Sequence, residues 1–227
     1  MSVRIVAGEI SAKDATTRTV LPTEGQGRWP PFERVAETIA SSSRRFPPHR
    51  HSGVEVLTYI IEGAGAYEYG TDPARAVAAG SVQLMTAPES VAHTITAGKG
   101  QTVRWFAAVA VLSPESRAGP RVQFGQPADP DVAPETTVVQ PLVGPSTPVQ
   151  SALGLECSTI RFLDEGTLFR RIGHKSLAVV YAISGRGTVG NEAIEAGEGA
   201  LVEDSSGIAV HGEPGCRLIQ LSLPRPP

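Results

Sequence analysis

Cysteine is scarce in this 227-residue chain: only Cys157 and Cys216 occur, far apart in sequence. Two such residues do not make a disulfide framework and read as reduced core thiols. Long apolar runs are missing as well. The strongest, Leu177 to Ile183, is far too short to span a bilayer, and the N-terminal MSVRIVAGEI has no apolar signal core. These absences lead to the expectation of a soluble, cytoplasmic protein with no membrane partner. Nor is there an excess of positive charge: 20 Lys and Arg stand against 23 Asp and Glu, a formal net charge of -3. With no basic stripe, a nucleic-acid partner bound through phosphates has no support. Helical periodicity is weak throughout, its best stretch being PFERVAETIASSS (31–43). The glycine-rich GAGAYEYG and SGRGTVG lie between strands and open no helix, so neither is a dinucleotide fingerprint. No Ser–His–Asp order has motif support.

What the chain does have is strand-like sequence. Hydrophobic residues make up 41%, enough for a real core, and 24 Gly with 19 Pro supply frequent turns. Apolar or alternating segments bounded by turn residues recur at short intervals: VEVLTYIIEG (54–63), GAYEYG (65–70), SVQLMTA (81–87), HTITA (93–97) and TVRWFAAVAVL (102–112). A looser stretch, Ser113 to Pro148, holds eight prolines and one strand-like piece, TTVVQPLVG. Strands then resume from LECSTIRFL (155–163) to CRLIQLSLP (216–224). The halves look like copies. Tyr59-Ile-Ile-Glu-Gly63-Ala-Gly65 parallels Tyr181-Ala-Ile-Ser-Gly185-Arg-Gly187, and Ala79-Gly80 parallels Ala196-Gly197. A repeat on this scale implies a duplicated β domain, with units 1–130 and 131–227 meeting in the Pro-rich middle.

The run FPPHRHSGVE places His49, His51 and Glu55 at odd positions. In one extended strand all three would share a face. Imidazoles suit Fe, Zn, Cu or Ni, and one carboxylate favours Fe or Mn. By the same parity Leu57, Tyr59 and Ile61, with Met85 and Gln83 facing them, would wall a pocket or simply fill the core. Arg44 and Arg45 could attract an anion near its mouth, or be plain solvated arginines.

Two motifs match the cupin pattern. The first is His49, His51, Glu55 and Gly63; the second runs from Gly80 through SVQLMTAPESVA to His93. One branch matches more closely. FPPHRHSGVEVLTYIIEG resembles the pirin signature, GSVQLMTAPESVAHTI is similar to the pirin second motif, and TVVQPLVGPSTPVQ resembles the segment opening the pirin second barrel. The first 40 residues lack the Asp-Pro-Phe and Asp-Glu elements of that family. The resemblance implies an all-β bicupin: two tandem jelly-roll barrels, with one metal, usually iron, in the N-terminal barrel and none in the C-terminal one. It implies ligands at His49, His51 and His93, plus a Glu two residues after His93. That position is Ile95, which cannot coordinate.

Two readings of that departure are open. Glu55 could complete the ligand set, as in ordinary cupins, or act as a partner or catalytic base beside a three-His metal. The loss of an anionic ligand at Ile95 should weaken divalent affinity, to the limit of an empty barrel. Affinity should also collapse as pH falls through roughly 6, because the ligands must be neutral imidazoles. In the second copy His49, His51, Glu55 and His93 map to Arg171, Gly173, Leu177 and Val210. His174 and His211 sit one residue off, which in a strand is the opposite face. The expected function is a metal-dependent, quercetin-dioxygenase-like oxidoreductase acting on a small aromatic or enolisable substrate. The other reading is a metal-dependent regulatory protein with a protein partner and no turnover.

Overall fold

Residues 1–11, 15–22, 29–44, 46–113, 118–126, 131–132, 136–173 and 175–225 are described in this computed structural model. They form twenty-one strands and, among the described residues, no helix. The weakly helical stretch at 31–43 is the strand Phe32–Ser41, and the reason is its surroundings. It pairs with Thr102–Val111 on one side and Thr16–Leu21 on the other, so its backbone bonds are satisfied in a ladder and its apolar residues pack on two faces. No helix of the described chain is long and apolar enough to cross a membrane.

The chain divides into two compact units, Glu9–Gln126 and Met1–Gly8 with Pro127–Pro227. Ser2–Ala7 belongs with the second because it pairs along its whole length with Glu198–Glu203. The first eight residues therefore leave the unit to which the sequence reading assigns them.

In the first unit one strand organises everything. Val54–Tyr69 runs sixteen residues, uniting two segments that read as separate in sequence. Its first half pairs with Val82–Ala87 and Thr102–Val111, and its second half with Arg75–Ala78 and Val91–Ala97. The strand thus passes from one curled sheet into the other. The passage needs glycine twice. Gly63 has φ +79°, and a Cβ there would strike the Thr102 carbonyl; a Cβ on Gly65 would strike that of Thr96. Residues 54–61 are buried at every position, so both faces of this strand are covered and its sequence is a continuous apolar run.

The second unit has a seven-stranded sheet, containing Ser2–Ala7 and Arg217–Pro224, and a four-stranded one from Gly166–Arg171 to Gly207–Gly212. The repeat is visible in its backbone. Gly185 and Gly197 have φ +78° and +91°, matching +79° at Gly63 and +88° at Gly80. Between its sheets Ile160, Phe162, Val180, Val189, Ile194 and Val210 make a filled apolar core.

Candidate metal centre

His49–His51 is a three-residue strand paired antiparallel with Val91–Ala97, and the register sets His49 directly opposite His93. His49 and His51 flank Arg50 and share a face, while the exposed Arg50 donates from Nε to Ser90 Oγ at 2.8 Å. Ring centroids lie 4.8 Å apart for His49–His51, 4.4 Å for His49–His93 and 5.0 Å for His51–His93. One ligand atom from each lies within 4.8 Å of the others, and among the described residues this is the one group that could hold a metal ion.

Hydrogen bonds prepare two of the rings. His49 Nδ1 lies 3.2 Å from the Pro47 carbonyl oxygen, which can only accept, so Nδ1 carries the proton and Nε2 keeps its lone pair. His93 Nδ1 lies 3.0 Å from the Tyr67 hydroxyl, which itself donates to Met85 Sδ at 3.7 Å. The Tyr67 oxygen is then free to accept from Nδ1–H, again exposing the Nε2 lone pair. His93 is 6% exposed, and its Nε2 is buried with no hydrogen-bond partner. A buried polar atom left unpaired costs about 1–3 kcal/mol, and a bound cation would remove that cost. The donor set therefore fits a divalent transition metal. Burial pulls the His49 pKa down, that of His51 to about 4 and that of His93 to about 3, with neighbouring histidines adding to the last two. His51 and His93 are consequently neutral well below pH 6, His49 is shifted in the same direction, and the onset of proton competition moves lower than the sequence alone implies.

The histidines open on a cavity of about 40 Å3, bordered by Arg34, Phe46, Val56, Ile95 and Trp105 among others. Phe46 meets His49 edge-on at 4.9 Å and Trp105 at 5.6 Å. Ile95 is 3% exposed and faces the cavity beside His93, as its spacing predicts.

Glu55 does not join the histidines. It is buried at 1% exposure and accepts from Thr86 Oγ1 at 2.8 Å, while its neighbours Val56 and Thr58 border the cavity. The parity argument fails at Ser52–Gly53. Gly53 has φ +70°, which ends one strand before the next begins at Val54, so odd and even positions exchange faces. Leu57, Tyr59 and Ile61 go with Glu55 to the far face. Met85 and Gln83 do lie opposite Val56 and Thr58 on the cavity side of the sheet. Arg44 is exposed, and Arg45 lies outside the described residues.

Sequence reasoning missed Tyr67 and Arg34. Tyr67 sits opposite Ile95 across the sheet, a signal available only once the register is known. Arg34 was hidden inside the apparent helix; as a strand residue it lies opposite Val109 and so on the row of Val56.

In the second unit the mapped positions hold no comparable group. Val210 and Leu177 are core residues, Arg171 and Gly173 are exposed, and His174 lies outside the described residues. His211 is outward, with Nδ1 3.2 Å from Thr167 Oγ1 and Nε2 3.5 Å from Glu165. Cys157 and Cys216 are buried free thiols, and burial raises both pKa values, that of Cys216 to about 11.

Comparison with known proteins agrees with this architecture. Residues 5–106 match the family model Pirin. A pirin-like protein of Solanum lycopersicum is 34% identical over 71 residues, which are 31% of this chain and 24% of that one. The chain thus spans about a quarter of that curated relative. The bacterial pirin YhhW of Escherichia coli, solved in complex with nickel(II), has TM-score 0.82 at 14% identity over 99% of this chain and 100% of its own. A quercetin 2,3-dioxygenase from Acinetobacter baumannii has TM-score 0.87 at 15% identity, over 98% of this chain and 79% of its own. At these identities the structural likeness establishes the all-β bicupin fold.

Proposed function

We propose that the chain, which matches the Pirin family model over residues 5–106, is a pirin-like protein of the cupin type and a metal-dependent oxidoreductase of the quercetin-dioxygenase kind. His49, His51 and His93 hold one divalent transition metal, with iron as the metal that suits the reaction. The observation that carries this reading is the buried, unpartnered Nε2 of His93 beside two further imidazoles. A bound iron would supply Lewis acidity toward a substrate oxygen and one-electron chemistry with O2. The chain's own residues do the rest. Pro47 and Tyr67 fix the tautomers of His49 and His93, so that each presents a lone pair. Val56, Ile95, Trp105 and Val109 line the cavity with apolar surface that limits water. The substrate is small and enolisable, and it enters already ionised: no carboxylate borders the cavity among the described residues, and Glu55 is turned away from it. The protein acts in the cytoplasm, without nucleic-acid or membrane partners.

The same lack of a base, with only about 40 Å3 of free space, favours a second reading: a metal-dependent regulatory protein that binds a protein partner without turnover. Protein purified without a His tag is analysed for metals by mass spectrometry, then given a flavonol and small enolisable compounds while O2 is followed. Uptake that vanishes in His49→Ala supports the oxidoreductase. Metal without uptake across the panel leaves the regulatory reading, and a metal-free protein that no divalent ion loads would falsify both.

A further inference from the structure

We infer that Arg34 is the anion-recognising group of the metal cavity, and that the cavity's ligand is a small organic oxyanion shared between its guanidinium and the metal. The inference rests on the metal reading of the three histidines and adds the ligand class to it. Arg34 lies in Phe32–Ser41 opposite Val109, whose other neighbour across the sheet is Val56. All three border the cavity that His49, His51 and His93 face. The side chain is half-buried, and among the described residues no carboxylate pairs with it and no acceptor bonds it. Arg104 in the same unit, by contrast, lies 2.7 Å from Glu37 and 3.1 Å from Glu62.

Charge makes the vacancy of partners informative. A divalent ion on three neutral imidazoles adds two positive charges close to a fixed third, with no Asp or Glu bordering the space among the described residues. Partly buried like charges of this kind favour an anion, and among the described residues bordering the cavity none is present. Ile95, buried beside His93 on the cavity wall, adds no negative charge there. A carboxylate or enolate oxygen can bind the metal while a second oxygen meets the guanidinium fork. The free volume of about 40 Å3 limits what enters to a small head group.

The test titrates Co(II)-loaded and metal-free protein at pH 8 with acetate, acetylacetonate and neutral imidazole. Cobalt absorption reports on the loaded form. Fluorescence of Trp105, in a Trp29→Phe background, reports on both. Wild type is expected to bind at least one of the two anions, acetate if the ligand is a carboxylate and acetylacetonate if it is an enolate. In Arg34→Gln that dissociation constant rises by about tenfold or more, the loss of one charge-assisted contact, and Arg34→Lys recovers part of it. Imidazole binding stays within about twofold, and cobalt affinity is unchanged or higher. Anion binding equal in wild type and Arg34→Gln overturns the inference. If cobalt does not load, the metal reading fails separately, and the metal-free arm decides: anion quenching of Trp105 lost in Arg34→Gln sustains the anion site, and no quenching in wild type ends it.

Discussion

At the scale of single residues, the site depends on side chains that hold other side chains. Tyr67 touches His93 at the nitrogen away from the cavity, so Tyr67→Phe should leave the ligand in place but loosen its tautomer and orientation. Losses of this kind cost about 10- to 100-fold in metal affinity, and competition with a chromogenic chelator measures it. Glu55 gives the opposite expectation. Because it accepts from Thr86 on the far face, Glu55→Gln should leave divalent affinity within about twofold, while His51→Ala abolishes tight binding. Equal losses in the two variants would return Glu55 to the ligand set. Ile95→Glu restores an anionic donor on the cavity side and should raise affinity by about tenfold or more, the worth of one contact near 1.4 kcal/mol. Calorimetry showing no gain would mean that residue 95 does not reach the ion.

At the scale of elements, the bend of Val54–Tyr69 joins the two sheets that bracket the cavity. Gly63→Ala combines a left-handed φ with a Cβ aimed at the Thr102 carbonyl, and both faults fall on backbone that cannot swing aside. A loss of about 1–3 kcal/mol or more is expected from urea unfolding. Gly53→Ala also has positive φ, but a Cβ there meets nothing within 4 Å, so its cost should stay nearer 1 kcal/mol. If the two variants are equally stable, the close approach at residue 63 contributes nothing. The strand Phe32–Ser41 shows how context overrides local pattern: ETIA and its flanks tolerate a helix, but two neighbouring strands claim its backbone bonds.

At the scale of the whole molecule, the histidines make stability depend on pH. Desolvation first, and neighbouring histidines second, hold His51 at about 4 and His93 at about 3, with His49 also lowered. In the unfolded chain the same rings take up protons near pH 6.5. Below that pH the unfolded state binds more protons than the native one. The metal-free protein should therefore be fully stable above about pH 6.5 and lose stability steadily as pH falls toward 4. Urea midpoints between pH 7.5 and 4.5 check this, and the decline should shrink when His51 and His93 are both replaced by Gln. A decline of the same size in that double variant would assign the effect to other groups.

Much was legible without coordinates. Strand segments, the duplicated glycine positions and the three histidines are short-range features, written in alternation, turn chemistry and side-chain type. Residue by residue, the reading held wherever the chain stayed in one unbroken strand, as from His93 to Ile95. It failed at Gly53, because parity has no meaning across a residue that leaves the strand conformation, and Glu55 changed faces there. Sequence by itself determined that three histidines of the first half are of a type and spacing to bind a metal, and that the chain consists of two β units. Only the tertiary structure decided which strands lie side by side, and so which distant residues meet at the cavity: Tyr67 behind His93, and Arg34 on the cavity wall with no partnering carboxylate among the described residues. Register between strands is set by packing over the whole unit, and no local stretch of sequence contains it.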